Sequence, residues 1–106
     1  MVEPAELTDP TTRALVEAIN ANDREAFFAL LAPDATLSDD GTDRDLTDWV
    51  DREIFSAGGH MDVVSQADDG RSWLADYRND TYGQMRTSWA IRVDGGRITR
   101  LETGQA

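Results

Sequence analysis

The stretch from Asn20 to Asp40, NANDREAFFALLAPDATLSDD, decides the fold of this chain, because it joins the end of one helix to a second helix and a strand. Asn22 followed three positions later by Glu25 resembles a capping box, which predicts that a helix begins there. The apolar residues after it form one helical stripe: Phe27, Phe28, Leu30 and Leu31. Pro33 lacks the N–H that would prolong the helix, so we predict that it ends near Ala32.

A strand is predicted after Pro33, and its alternation gives the first functional lead. Ala35, Leu37 and Asp39 share one parity, and alternate side chains of a strand point to the same face. The carboxylate of Asp39 should therefore lie on the side of Leu37, which is the side expected to face the interior.

Length and composition predict one domain over residues 1–106, with a single core. The chain has no cysteine, which excludes disulfides, thiolate metal sites and cysteine nucleophiles. Carboxylates on predicted helices without histidine or cysteine partners favour a solvated surface over a metal site. The sequence thus indicates no metal and no cofactor.

The charge distribution excludes several classes of partner. The formal net charge is −11, and the ten basic residues are all arginines that form no cluster. Such a chain repels nucleic acid phosphates and anionic lipid surfaces. The sequence also lacks a run of roughly 20 apolar residues that could span a bilayer. We expect a cytoplasmic protein that binds neither nucleic acid nor membranes, and the exclusive use of arginine fits a GC-rich bacterial genome.

The order of the predicted elements is helix, helix, strand, helix and then four strands. The first helix covers residues 10–21, with Asp9 as its cap and Pro10 at its first position. The third carries the stripe Leu46, Trp49, Val50 and Ile54. After Gly59 the period changes to two, which predicts strands at 60–67, 71–79, 82–93 and 97–105 separated by turn residues. Consecutive hairpins favour an antiparallel sheet that is twisted and curved, with the helices packed on its concave face.

This order, together with particular segments, resembles the NTF2-like superfamily. The segments are residues 20–23, FFALLAPDATL at 27–37 and the closing hairpin VDGGRI at 93–98. The most similar branch is that of small bacterial SnoaL-like and ketosteroid-isomerase-like proteins, and the likeness extends from about Thr11 to Gly104. The resemblance implies an α+β cone in which three N-terminal helices pack on a curved antiparallel sheet. It further implies a pocket inside the cone and a homodimer formed through the outer sheet face.

The resemblance also assigns expected roles to individual positions. Asp39 falls where ketosteroid isomerases, and by similar placement some polyketide cyclases, keep an aspartate general base. The isomerase tyrosine that stabilises the oxyanion falls on Leu15, and its partner aspartic acid falls on Trp89. Leucine has no donor and the indole N–H has a different reach, so steroid isomerisation by the family mechanism is not expected. The alternative for Asp39 is turn chemistry, since Asp-Asp-Gly is a common way to leave a strand.

Other residues are predicted to complete the site. His60, the only histidine, is either a second acid/base group beside Asp39 or a hydrogen-bonded residue of the rim. The expected lining of the pocket comprises Leu15, Phe28, Trp49, Tyr77, Met85, Trp89, Leu101, Thr103 and Gln105. Its aromatic members either form walls for an apolar molecule or simply fill the core.

Two functions follow from these observations. The first is a SnoaL-like protein that binds a small, apolar organic molecule and transfers a proton in an isomerisation, cyclisation or dehydration, with Asp39 as the base. The second is a non-catalytic module for ligand binding or dimerisation, with a shallow cone or one filled by Trp89, Met85 and Phe28. An Asp39 carboxylate beside an open cavity favours the first, and a cone without a void favours the second.

Overall fold

A computed structural model describes residues 2–106 and shows an α+β fold with one six-stranded sheet. The helices are α1 (Pro10–Asn20), α2 (Arg24–Ala29) and α3 (Leu46–Val50), and the strands are β1 (Leu31–Asp39), β2 (Thr42–Arg44), β3 (His60–Gln66), β4 (Ser72–Asn79), β5 (Gly83–Asp94) and β6 (Arg97–Gln105). A 3-10 turn precedes α1 at Pro4–Glu6, and one π-helical turn, Asp51–Phe55, continues α3.

The sheet is mixed, which corrects the expectation of an antiparallel sheet. Its strand order is β2-β1-β6-β5-β4-β3. The hairpins that join β3 to β6 are antiparallel as predicted, but β1 and β6 run parallel. These two strands are joined by a long crossover rather than by a turn. Their relative direction therefore depends on tertiary packing, which the periodicity of the sequence does not encode.

The junction between α1 and β1 differs from the prediction in two ways. Asp23, not Asn22, caps α2 by accepting a hydrogen bond from the Ala26 amide at 3.0 Å. Asn22 instead adopts a left-handed conformation with φ of 54°, which asparagine tolerates, and so ends α1. The helix α2 ends at Ala29 rather than near Ala32. The strand β1 includes Pro33, which lies where the register between β1 and β6 shifts. Its missing N–H therefore removes no regular hydrogen bond of the sheet.

The short strand β2 was not predicted. Asp40 and Gly41 both have positive φ values, 51° and 80°, and form a two-residue hairpin between β1 and β2. A turn of this kind matches the twist of paired strands and favours Asp-Gly sequences. The residues Asp39-Asp40-Gly41 therefore reverse the chain into another strand instead of only ending β1.

The core lies between the helices and one face of the sheet. The period of two predicted after Gly59 is confirmed in β5, where Thr87, Trp89 and Ile91 are buried and Arg86 and Ser88 are exposed. The fully buried side chains include Leu15, Ile19, Phe27, Leu37, Val50, Ile54, Met61 and Leu101. The side-chain amide of Asn20 ties α1 to β3, because it bonds both the carbonyl and the amide of Met61, at 2.8 and 2.7 Å.

Candidate functional site

An open cavity of about 390 Å³ lies between the buried face of the sheet and the segment that contains α3 and the π-helical turn. It is half polar in character, because charged residues surround its mouth and aromatic residues form its wall. Its lining comprises Asp39, Asp40, Arg44, Trp49, Arg52, Glu53, Tyr77, Asn79, Tyr82, Met85, Thr87, Trp89, Thr103, Gly104 and Gln105.

The carboxylate of Asp39 lies in this cavity at the end of β1. Leu37 is completely buried and Asp39 half-buried on the same side of the strand, as the alternation predicted. The Nε1 of Trp49 donates a hydrogen bond to Asp39 Oδ2 at 3.2 Å. Within residues 2–106, Oδ1 has no hydrogen-bond partner. One oxygen therefore fixes the orientation of the carboxylate and the other remains available.

The aromatic wall is held rigidly by the polar groups of its own members. The ring of Trp89 lies 5.8 Å from that of Tyr77 and stacks on Trp73 at 6.3 Å. The Nε1 of Trp89 donates to the hydroxyl of Thr87 at 2.7 Å, and this hydroxyl donates to the Ala75 carbonyl at 3.1 Å. Since the indole N–H is satisfied inside the protein, Trp89 offers the cavity mainly its apolar face.

Tyr77 connects the sheet to the π-helical turn. Its hydroxyl donates to the carbonyl of Glu53 at 2.7 Å, and Asn79 Nδ2 donates to the same carbonyl at 3.0 Å. Desolvation by burial raises the pKa of Tyr77 to about 12. The phenol therefore stays protonated near neutral pH, and its single proton is committed to Glu53. Gly59 is required beside it, because a Cβ there would overlap the phenolic oxygen.

The mouth of the cavity carries charges of both signs. Asp40 Oδ1 accepts from the Gln105 amide at 2.8 Å, which joins the β1–β2 turn to the end of β6. Arg52 forms ion pairs with Asp48 at 2.6 Å and with Glu53 at 3.3 Å. Arg44 also lines the mouth, and it has no ion-pair or hydrogen-bond partner within residues 2–106.

The structure brings seven of the predicted site residues together around the cavity: Asp39, Trp49, Tyr77, Met85, Trp89, Thr103 and Gln105. It does not bring Leu15, Phe28, Leu101 or His60 there. Leu15 and Leu101 are fully buried in the core. Phe28 packs edge-on against Phe27 and lies under the guanidinium of Arg24, 4.5 Å from its ring centre.

His60 lies on the opposite face of the sheet from the cavity. Met61 and Val63 are buried, so the pleat turns His60 and Asp62 outward, where His60 Nε2 lies 3.1 Å from Asp62 Oδ1. Asp62 also accepts from Arg78 at 3.4 Å. His60 is thus not beside Asp39 as expected. The two residues lie on different faces of the sheet, and their strands, β3 and β1, lie toward its opposite edges.

Several lining residues were missed from the sequence. Thr87 has the parity of Trp89 and follows from the alternation of β5. Asn79, the last residue of β4, lies two positions after Tyr77 and therefore on the same face of the strand. Arg44 was missed because β2 was missed. Arg52 and Glu53 depend on how the π-helical turn rotates the end of the third helix, for which the sequence gives no signal.

Two further features bear on the class of site. No group of three histidine, cysteine, aspartate or glutamate side chains within residues 2–106 is arranged to hold a metal ion. None of the helices in this part of the chain has both the length and the apolar character that crossing a bilayer requires.

No protein-family model matches the sequence, and the search of curated proteins found no match either. Several solved structures are similar to this chain over most of their length. A candidate polyketide cyclase from Sinorhizobium meliloti superposes with a TM-score of 0.79 at 21% identity, covering 96% of this chain and 99% of that one. An NTF2-like protein from Cytophaga hutchinsonii gives 0.71 at 14% identity, with 100% and 92% covered.

A third similar structure is a protein from Catenulispora acidiphila with a ketosteroid isomerase-like fold, solved in complex with trimethylamine. Its TM-score is 0.72 at 19% identity, and the match covers 91% of this chain and 85% of that one. Structural similarity at such low sequence identity shows a shared fold but not a shared activity, which depends on the residues of the site. The protein therefore has the NTF2-like fold, of the kind shared by SnoaL-like and ketosteroid isomerase-like proteins.

Proposed function

We propose that the cavity binds a small, mostly apolar organic molecule and that Asp39 acts on it as a general base. The observation that carries the proposal is the half-satisfied carboxylate of Asp39. Trp49 fixes Oδ2, while Oδ1 is available to a ligand in the cavity. A positioned carboxylate of this kind can take a proton from carbon or oxygen.

The shape and chemistry of the wall support an apolar ligand. Trp49, Tyr77, Met85 and Trp89 contribute apolar surface, and Thr103 and Gln105 add two polar side chains near the mouth. A volume of about 390 Å³ is within the range of pockets for small organic molecules. The similar structure solved with trimethylamine also supports a small organic ligand for this fold.

The proposed reaction begins with the transfer of a proton from a carbon next to a carbonyl to Asp39 Oδ1. The electrons of the broken C–H bond move onto the carbonyl oxygen and form an enolate. Return of the proton to another carbon completes an isomerisation. Return to a departing hydroxide releases water and completes a dehydration. In a cyclisation the enolate carbon attacks a second carbonyl, whose π electrons move onto its oxygen, and the resulting alkoxide takes the proton back from Asp39. No cofactor is needed for any of these outcomes, because each one conserves protons and electrons.

Exchange of the benzylic ketone protons of 2-tetralone in deuterium oxide, followed by proton NMR, tests this proposal. The protein should accelerate the exchange, and Asp39→Asn should slow the catalysed rate by about 100-fold or more, as expected for loss of a general base. Asp34→Asn is the matched control, because Asp34 is an exposed aspartate on the same strand that lies outside the cavity. Equal rates for the two variants would contradict the role of Asp39.

A second candidate is a non-catalytic module for ligand binding or for dimerisation. The outer face of the sheet favours dimerisation, since Leu74 is 37% exposed there beside the small residues Ser72, Ser88 and Ala90. We propose a homodimer through this face. Sedimentation at micromolar concentration should show a dimer that Leu74→Arg converts to a monomer, and a monomeric wild-type protein would contradict it. Ligand binding without any exchange would favour this module over the enzyme.

A further inference from the structure

Seven of the ten arginines of this acidic chain are engaged with other groups of the protein. Those with a hydrogen-bond or ion-pair partner are Arg13, Arg24, Arg52, Arg71, Arg78, Arg86 and Arg100. Within residues 2–106, Arg44, Arg92 and Arg97 have none, and of these three only Arg44 lines the cavity. Among the described residues 2–106, Arg44 is therefore the one cavity-lining arginine that forms no ion pair.

The register of the β1–β2 hairpin directs this charge toward Asp39. Thr42 is paired with Asp39 and Arg44 with Leu37. Paired residues and their second neighbours share a face, so Arg44 lies on the same side of the sheet as Leu37 and Asp39. Asp43 points the other way, where it pairs with Arg100 at 2.9 Å.

The other donors around the cavity are mostly committed within the protein. The indole of Trp49 donates to Asp39, that of Trp89 donates to Thr87, and the phenol of Tyr77 donates to Glu53. Thr103 and Gln105 retain side-chain donors without partners within residues 2–106, but these donors are neutral. A hydrogen bond from a charged donor is roughly twice as strong as one from a neutral donor.

We propose that Arg44 binds the oxygen on which negative charge develops, and that the ligand is an enolisable carbonyl compound with its oxygen at the β1–β2 hairpin. This inference rests on the proposed function, because it needs Asp39 as the base. When the C–H proton moves to Asp39, the carboxylate becomes neutral and the enolate oxygen becomes negative. The guanidinium of Arg44 then faces the new charge, while the apolar part of the ligand packs on Trp89, Tyr77 and Met85.

The same charges predict how a stable anion binds. Before proton transfer, an anionic ligand meets the attraction of Arg44 but also the repulsion of Asp39. The remaining carboxylates at the mouth are Glu53, which is paired with Arg52, and Asp40, which accepts from the Gln105 amide. Asp39→Asn removes one of these negative charges and imitates the neutral, protonated carboxyl. It should therefore strengthen the binding of an anion, whereas Arg44→Ala should weaken it.

Three probes with the same bicyclic body separate charge from shape: 2-naphthoate, the neutral ketone 2-acetylnaphthalene and the cation 2-naphthylmethylammonium. Calorimetric titration should show that Asp39→Asn binds 2-naphthoate more tightly than the wild type does. In the Asp39→Asn background, Arg44→Ala should then weaken 2-naphthoate by roughly tenfold and leave 2-acetylnaphthalene unchanged. Arg44→Lys should restore part of the loss.

The matched control is Arg97→Ala in the same background. Arg97 is an exposed arginine of the β5–β6 hairpin that lies outside the cavity and has no ion-pair partner in the described part of the chain, so its removal changes the net charge of the protein equally. Equal weakening by Arg97→Ala and Arg44→Ala would overturn the inference, as would tighter binding of the cation than of the anion. Binding of 2-naphthoate that does not respond to Arg44→Ala would overturn this inference alone. Failure of all three probes to bind would also overturn the proposed function.

Discussion

Two aspartates, Asp9 and Asp39, differ in how completely the protein uses their carboxylates. Asp9 caps α1, and its Oδ2 accepts from the Thr12 amide at 2.9 Å and from the Thr12 hydroxyl at 3.2 Å. Its Oδ1 accepts from Arg71 Nε at 3.1 Å. Among the residues that the structure describes, the Asp39 carboxylate makes one hydrogen bond, from Trp49 to Oδ2. A carboxylate with both oxygens bonded stabilises the fold, whereas one with a free oxygen beside a cavity can serve a ligand.

The largest difference between the two aspartates is expected when each is replaced by alanine. Asp9→Ala removes a helix cap and an ion pair and leaves the Thr12 amide without its acceptor, so the free energy of unfolding should fall by about 2 to 3 kcal/mol. Asp39→Ala should lower it by less than about 1 kcal/mol, since only one long hydrogen bond is lost. Urea denaturation measures both. A larger loss for Asp39 than for Asp9 would reverse the assignment.

A second test compares glycines on the cavity side. At Gly59 an added Cβ would overlap the Tyr77 hydroxyl and lie 3.2 Å from the backbone of Ile54. Gly59→Ala should therefore destabilise the protein by about 2 kcal/mol through overpacking. At Gly104 the Cβ would lie 2.7 Å from the exposed Asp40 Oδ1 and 3.4 Å from the Asp40 backbone nitrogen, so the carboxylate would have to move and weaken its hydrogen bond from the Gln105 amide, but no core side chain would be displaced. Thermal unfolding of Gly104→Ala should show the smaller loss. Comparable losses would mean that the contact between Tyr77 and the π-helical turn is loose.

Tyr77 lines the cavity, but its hydroxyl is already bonded within the protein, so like Asp9 it is expected to stabilise the fold rather than to serve a ligand. Tyr77→Phe should cost about 1 kcal/mol, since Asn79 still donates to the Glu53 carbonyl. The raised pKa means that burial favours the neutral phenol. The stabilisation is therefore complete below the ordinary pKa of 10.0 and is lost as the pH rises toward about 12. Ultraviolet titration should show a tyrosine with a pKa near 12 that disappears in Tyr77→Phe.

The smallest expected effect is the acid dependence of Asp9. Burial alone would raise its pKa, but the hydrogen bonds from Thr12 and Arg71 outweigh it, and the pKa lies below the ordinary value of 3.8. A lowered pKa stabilises the fold above pH 3.8, and the contribution is lost as the pH falls through the folded-state pKa. Stability curves of the wild type and Asp9→Asn should therefore converge in acid. A constant gap would show that the charge of Asp9 is irrelevant.

The sequence was sufficient for elements whose pattern is local. The cap at Asp9, the alternation of β5 and the parity that places Asp39 beside Leu37 all depend on neighbouring residues, and all three appear in the structure. The error at His60 came from assigning a residue to the pocket without first asking which face of its strand it occupies. The burial of Met61 already implies that His60 points to the other face.

The rest of the site depends on long-range geometry. The parallel pairing of β1 with β6 brings Thr103 beside Asp39, although the two residues are far apart in the chain. Leu101 shares the parity of Thr103 but lies one step deeper, opposite Leu37, and is therefore core rather than lining. Arg44 reaches the cavity only through the unpredicted strand β2. Periodicity assigns a face to a residue but not a depth along the strand.

The three tryptophan indoles report directly on the central claim that a ligand enters the cavity beside Asp39. Trp49 and Trp89 line the cavity, whereas Trp73 lies behind Trp89 and donates to Met61 Sδ at 3.1 Å. In a proton–nitrogen NMR spectrum, addition of 2-tetralone should shift the Nε1–H resonances of Trp49 and Trp89 and leave that of Trp73 nearly unchanged. Equal shifts of all three resonances, or none at saturating 2-tetralone, would contradict the account.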